Sequence, residues 1–152
     1  MIESVISCKG LVYMRLDPAE ARDRFVRSPV LRLATAGADG RPHLVPCTFA
    51  VDGSGRVVIG IDSKPKTTAN LRRLRNISEN PSVSLLVDQY DDDWTGLWWV
   101  RADGTAAIER AGAEHAAHWD QLRARYPQYA GQVLDGSVIV VTVESWSGWA
   151  FA

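Results

Sequence analysis

Between Val30 and Ile61 the chain repeats one pattern: the runs VLRLATA, RPHLVPCTFAV and RVVIGI, with GADG and DGSG between them. Each run is rich in β-branched residues. Each break supplies Gly beside Asp or Ser, the residues that tight hairpin turns require. The segment therefore reads as a three-strand antiparallel meander, and this fixes the chain as mainly β. Further on, SVSLLVDQY gives a fourth strand, LWWVRADGTAAIE a long fifth strand or a hairpin, and SVIVVTVESWSGWAF a final strand.

Helices interrupt this pattern. Asp17-Pro18-Ala19-Glu20 combines an N-cap, proline at the first helical position and Glu three residues on, a start signal for a helix running to about Ser28, where Pro29 ends it. From Thr67 to Ser78 the spacing of Leu71, Leu74 and Ile77 predicts a short amphipathic helix, stopped by Glu79-Asn80-Pro81. A third helix, Ala111 to Tyr126, sets His115, Trp119, Leu122 and Tyr126 on one stripe. Antiparallel strands with helices at a few places predict a mainly β fold with peripheral α: a small barrel of about six antiparallel strands with helices packed outside. Such a barrel is filled by its own side chains, so a sizeable ligand has to lie on the outer wall or between subunits.

At 152 residues the chain makes one domain, with 46% hydrophobic and 23% charged residues. Met14 opens a segment that reads like a natural beginning, so the expected organisation is an extension over residues 1–13 and a single barrel domain over 14–152. The balance of 17 basic and 18 acidic residues gives a net charge of −1, no electrostatic footprint for nucleic acid or membrane. Glu3 and Lys9 argue against reading the leading apolar run as a signal peptide or a membrane span. Cys8 and Cys47 form no C-x-x-C pattern, which fits a reducing compartment and a cytoplasmic protein.

Catalytic constellations built from side chains alone are poorly supported. His43 and Cys47 share a strand face, and with His115 or His118 they suggest metal ligands only loosely, since no second ligand pair has the spacing of a zinc site. Cys47 reads as a small buried hydrophobe, His115 and His118 as packing residues, and Asp91-Asp92-Asp93 as a solvated loop. Ser63 lacks a nucleophile-elbow context. One local feature stands out. The chain has three lysines, and two of them, Lys64 and Lys66, flank Pro65 just before a helix N-terminus, where an anionic group is favoured.

If side chains do no obvious chemistry, a bound organic coenzyme carries it. The stretch RPHLVPCTFAV, the Gly turn, RVVIGIDSKPKT and NLRRLRNISENPSVSLLV, followed by LWWVRADGTA, resembles the pyridoxamine 5'-phosphate oxidase-like split β-barrel proteins, and within them the branch that binds the deazaflavin coenzyme F420 (the flavin/deazaflavin oxidoreductase B type). The resemblance implies a homodimer with cofactor sites at the interface. It implies an F420-dependent oxidoreductase passing hydride between the deazaflavin and a small organic acceptor. The alternatives are an FMN-dependent oxidase or reductase on the same barrel, or a non-catalytic flavin- or heme-binding protein. The arginine-rich, lysine-poor composition suits the high-GC actinobacterial genomes in which F420 is common. By the same resemblance Val45, Pro46, Cys47 and Thr48 lie along the ring, with Ile59, Gly60, Ile61 and Asp62 on the adjacent strand. Ser63, Lys64, Lys66, Thr67 and Asn70 form the phosphate-binding turn. Independently, Trp98 and Trp99 point to opposite faces if LWWVR is a strand, so one is buried and the other, Trp99, lines the cofactor or substrate pocket. The chain lacks a substrate-phosphate arginine-histidine pair near its end, which argues against vitamin B6 oxidation.

Overall fold

The computed structural model describes residues 6–8, 11–61 and 68–151. Nine strands join one antiparallel sheet in the order β1-β2-β9-β8-β7-β3-β4, with β6 pairing both β9 and β5. The strands are β1 (Ile6–Cys8), β2 (Leu11–Arg15), β3 (Leu31–Ala36), β4 (Pro42–Cys47), β5 (Ala50–Val51), β6 (Val57–Gly60), β7 (Ser82–Gln89), β8 (Trp98–Glu109) and β9 (Val138–Phe151). The helices are α1 (Pro18–Arg27), α2 (Thr68–Glu79) and α3 (Ala113–Arg125). This is the mainly β architecture with peripheral helices of a split β-barrel. Among the described residues no helix is long and apolar enough to cross a membrane.

Strand β9 closes the barrel. One edge pairs along its length with β8, from Glu109↔Val138 to Trp98↔Ala150. Its other edge serves β6 through Val57↔Val141 to Gly60↔Val138, then β2 through Tyr13↔Phe151 to Arg15↔Trp149. The β8–β9 register shifts between Asp103 and Gly104, and there a Cβ on Gly104 would lie 2.2 Å from the Thr142 carbonyl oxygen. Only glycine permits that approach of two backbones.

The alternation of side chains along β6 and β9 serves two cores. Val57, Ile59, Ile139 and Val141 point into the barrel, whereas Val58, Val138 and Val140 point outward under α3, against Trp119 and Leu122. Both faces are covered, so these strands read as unbroken apolar runs. Gly60 lets α3 sit close: a Cβ there would meet the Trp119 ring at 2.4 Å. Helix α1 starts as its sequence dictates, with Asp17 Oδ1 accepting from the Glu20 amide at 2.9 Å, and it buries Ala21 and Phe25.

Two expectations need correction. The second run of the meander is not one strand: it breaks at Thr48–Phe49, β4 pairs only β3 and β5 only β6 among the described residues, so two hairpins replace the meander. The cause is long-range, because the Tyr126 hydroxyl at the end of α3 takes both backbone groups of Phe49, its N–H at 3.1 Å and its carbonyl at 2.8 Å. The sheet also has nine strands rather than about six, since that break creates β5 and the leading segment supplies β1 and β2.

Candidate functional site

The break leaves β4 with one edge unpaired among the described residues. Pro42 and Pro46 lie on it, where a strand tolerates residues without an amide N–H. His43, Val45 and Cys47 turn toward the barrel and α2, while Leu44 and Pro46 face solvent on the outer side. β6 ends at Gly60, with Ile59 and Ile61 buried, and the basic segment that follows it in the sequence lies outside the described residues.

Helix α2 is tied across β3 and β4 by side chains. Asn76 Nδ2 donates to Thr35 Oγ1 at 3.1 Å, Glu79 accepts from the Ala38 amide at 2.8 Å, and Arg73 Nη1 donates to Cys47 Sγ at 3.3 Å. Burial pushes the Cys47 thiol up from its ordinary range, with the Arg73 guanidinium opposing, so Cys47 is a poor nucleophile at neutral pH. Burial also holds the His43 imidazole below its ordinary value, and Arg72 and Arg73 add to the effect. His43 Nδ1 is buried and makes no hydrogen bond among the described residues. Beside Arg72 and Arg73, that atom leaves room in the hydrogen-bond accounting for a water or a ligand's polar group.

The resemblance's residues are distributed as follows. Val45, Pro46, Cys47 and Thr48 line the open edge and its end, and Thr48 Oγ1 lies 3.0 Å from the Tyr129 hydroxyl. Ile59, Gly60 and Ile61 lie on or just beyond β6, with both isoleucines in the core. Asp62, Ser63, Lys64, Lys66 and Thr67 lie outside the described residues, and Asn70 is in the first turn of α2. Trp99 is not brought to β4 within one subunit: β7 and β3 separate them. Its neighbour Trp98 turns to the opposite face, beneath Arg24, whose guanidinium carbon is 5.4 Å from the ring centroid. Asp91 and Asp93 accept local amides at 2.9 and 3.1 Å, as a solvated turn does.

Sequence reasoning missed the part played by the end of α3. Arg125 donates to the carbonyls of Phe49 and Val26, and Tyr126 and Tyr129 hold Phe49 and Thr48, so one short segment fixes the end of β4. The aromatic stripe on α3 was the available signal, but a stripe says nothing of hydroxyl partners.

The model of the pyridoxamine 5'-phosphate oxidase family matches residues 18–150. The chain belongs to that family. A curated relative, the 5a,11a-dehydrotetracycline/5a,11a-dehydrooxytetracycline reductase of Streptomyces rimosus, is 34% identical over 89 residues, which cover 57% of this chain and 61% of that protein. The match thus spans less than two thirds of the relative. Among solved structures, a FAD-binding protein of Mesorhizobium loti shares 21% identity with a TM-score of 0.72, covering 94% of this chain and 99% of the other. The heme storage protein HutZ of Vibrio cholerae shares 21% identity with a TM-score of 0.65, covering 88% and 91%. These two likenesses show the fold.

Proposed function

We propose that this family member is a reductase that uses a flavin-class coenzyme to reduce a conjugated double bond in a small organic acceptor. The observation that carries the reading is the 34% identity to a reductase of dehydrotetracycline compounds, within a family named for an oxidase. When bound, the coenzyme supplies two-electron hydride transfer. The FAD-binding relative supports FMN or FAD as the coenzyme. The finer reading, carried by the resemblance of the basic turn and the helix after it, is the deazaflavin F420.

The residues present fit such a group. His43 Nδ1, buried and unpartnered among the described residues, offers a hydrogen bond to the coenzyme's polar edge. Val45 to Thr48 present an open strand edge along which a flat ring lies, and the end of α3 keeps that edge in place. Lys64 and Lys66, with the N-terminus of α2, hold the phosphate through charge-assisted bonds of roughly 1.5 to 3 kcal/mol each.

A homodimer belongs to the same proposal. The outer face of the sheet leaves Leu44 on β4 67% and Leu86 on β7 37% exposed, on either side of β3, a patch that a two-fold partner would cover. The test is turnover: purified protein, each reduced coenzyme in turn, and a planar α,β-unsaturated ketone, followed by absorbance. Oxidation of at least one coenzyme that depends on the acceptor supports the reading. Oxygen consumption without acceptor reduction, for every coenzyme, rejects it in favour of an oxidase.

A further inference from the structure

One buried polar cluster pins the first half of α3 to the sheet. His118 Nε2 lies 3.0 Å from Asp52 Oδ2, in the turn between β5 and β6, and its Nδ1 lies 2.8 Å from Glu109 Oε2, at the end of β8. The His118 and Asp52 side chains are 6% and 9% exposed. Arg56 faces the same group: its Nε donates to Asp52 Oδ2 at 2.9 Å and its Nη2 reaches Glu114 of α3 at 3.6 Å. The other charged and titratable neighbours point elsewhere. Arg22 of α1 reaches the turn at Gly55, Arg110 donates to Ser137 at 3.3 Å, and His115 Nε2 donates to the Gly136 carbonyl at 2.7 Å. From β9 the apolar Val138 and Val140 pack beneath α3.

Asp52 already accepts from the Ser54 amide, the Arg56 amide and Arg56 Nε, at 2.9, 3.0 and 2.9 Å, so it is ionised and His118 Nε2 donates to it. The contact with Glu109 then needs a second proton, carried by Nδ1 or by the Glu109 carboxyl. Either way the cluster holds one proton more than a neutral ring between two carboxylates. Once that proton leaves, Glu109 faces a bare Nδ1, acceptor against acceptor. We propose that His118 is a proton-controlled positioning residue: its two hydrogen bonds seat α3, and through α3 they hold the end of β4. Trp119 and Leu122 form the apolar seat of the helix, and Arg125 and Tyr126 carry its grip on Phe49. The inference rests on the coenzyme reading only for what the β4 edge carries. The seated state binds the extra proton, whereas a histidine in an unfolded chain has lost its own above about pH 6.5, so the seat weakens as pH rises.

The experiment follows urea unfolding of the full chain from about pH 5.5 to about pH 8, the range in which a free histidine titrates, in wild type and in Glu109→Gln. In the variant the side-chain amide donates to Nδ1 of a neutral ring, so both contacts survive without the extra proton. Above about pH 6.5 the folding constant of wild type should fall by up to about tenfold per pH unit, and Glu109→Gln should lose this dependence. Exchange of the Phe49 amide, taken relative to its intrinsic rate, should rise with pH in wild type alone. Parallel pH profiles in the two proteins overturn the proposal, and so does a Phe49 protection that ignores pH while the midpoint moves. If Glu109→Gln does not fold, a wild-type midpoint that stays level across the range overturns it as well. Failure of FMN, FAD and F420 to bind, with both pH profiles as expected, sinks the coenzyme reading and leaves the role of His118 standing.

Discussion

Replacing Tyr126 by Phe removes one hydroxyl and tests whether the end of α3 holds the end of β4. That hydroxyl accepts the Phe49 amide at 3.1 Å and lies 2.8 Å from the carbonyls of Phe49 and Pro29, to one of which its single proton goes. The Phe49 carbonyl keeps Arg125 Nη1 at 2.8 Å after the change, so its loss is cushioned. The amide has no such substitute, and Phe49 is fully buried. An orphaned buried donor costs roughly 1 to 3 kcal/mol, so a destabilisation of about 2 kcal/mol is expected. With a urea slope of about 1 to 3 kcal/mol/M, the unfolding midpoint falls by roughly 1 M. Urea titration followed by tryptophan fluorescence measures it, and hydrogen exchange reads the Phe49 amide directly. A midpoint unchanged within error, with Phe49 exchange unaltered, would refute the reasoning.

Gly104→Ala should destabilise by about 3 kcal/mol or more, because the new methyl meets backbone rather than a movable side chain, whereas Gly53→Ala, with open space around it, should stay within about 1 kcal/mol of wild type. Thermal melts of the two variants compare them. Although burial pushes the Asp52 carboxyl up, hydrogen bonds from the Arg56 amide, His118, the Ser54 amide and the Arg56 side chain bring it below its ordinary value of 3.8. A carboxyl lowered by folding contributes stability above its unfolded pKa and loses it as pH falls through the folded one, so wild type should lose stability on acidification below about pH 4 more steeply than Asp52→Asn. Denaturant midpoints at several acid pH values decide it. Cys47→Ser should keep most activity, since the buried thiol packs and accepts from Arg73 rather than attacking; complete loss of turnover in a folded variant would show otherwise.

The strands and helices were legible because local chemistry sets them: the Asp17 cap, the Gly-bearing turns, and the apolar runs of β6 and β9. What lay beyond sequence reading was decided at long range. RPHLVPCTFAV carries no turn residue at Thr48–Phe49, and its interruption depends on a tyrosine 77 positions away. Of the candidate site, the open β4 edge was not readable, because a meander pairs that run on both sides, and the orphaned Nδ1 of His43 depends on what α2 lays over it. Trp98 and Trp99 were separable by alternation alone, but placing Trp149 opposite Trp99 needed the register of β8 on β9.

The central claim, a flavin-class coenzyme held by the basic turn and β4, is tested most directly by equilibrium titration of the protein with FMN, FAD and F420, in wild type and in the Lys64→Ala/Lys66→Ala variant. The account predicts saturable binding of at least one of them, weakened in the double variant by about two to four orders of magnitude, the loss of two charge-assisted contacts of roughly 1.5 to 3 kcal/mol each. Failure of all three to bind, or equal affinity in the two proteins, would contradict it.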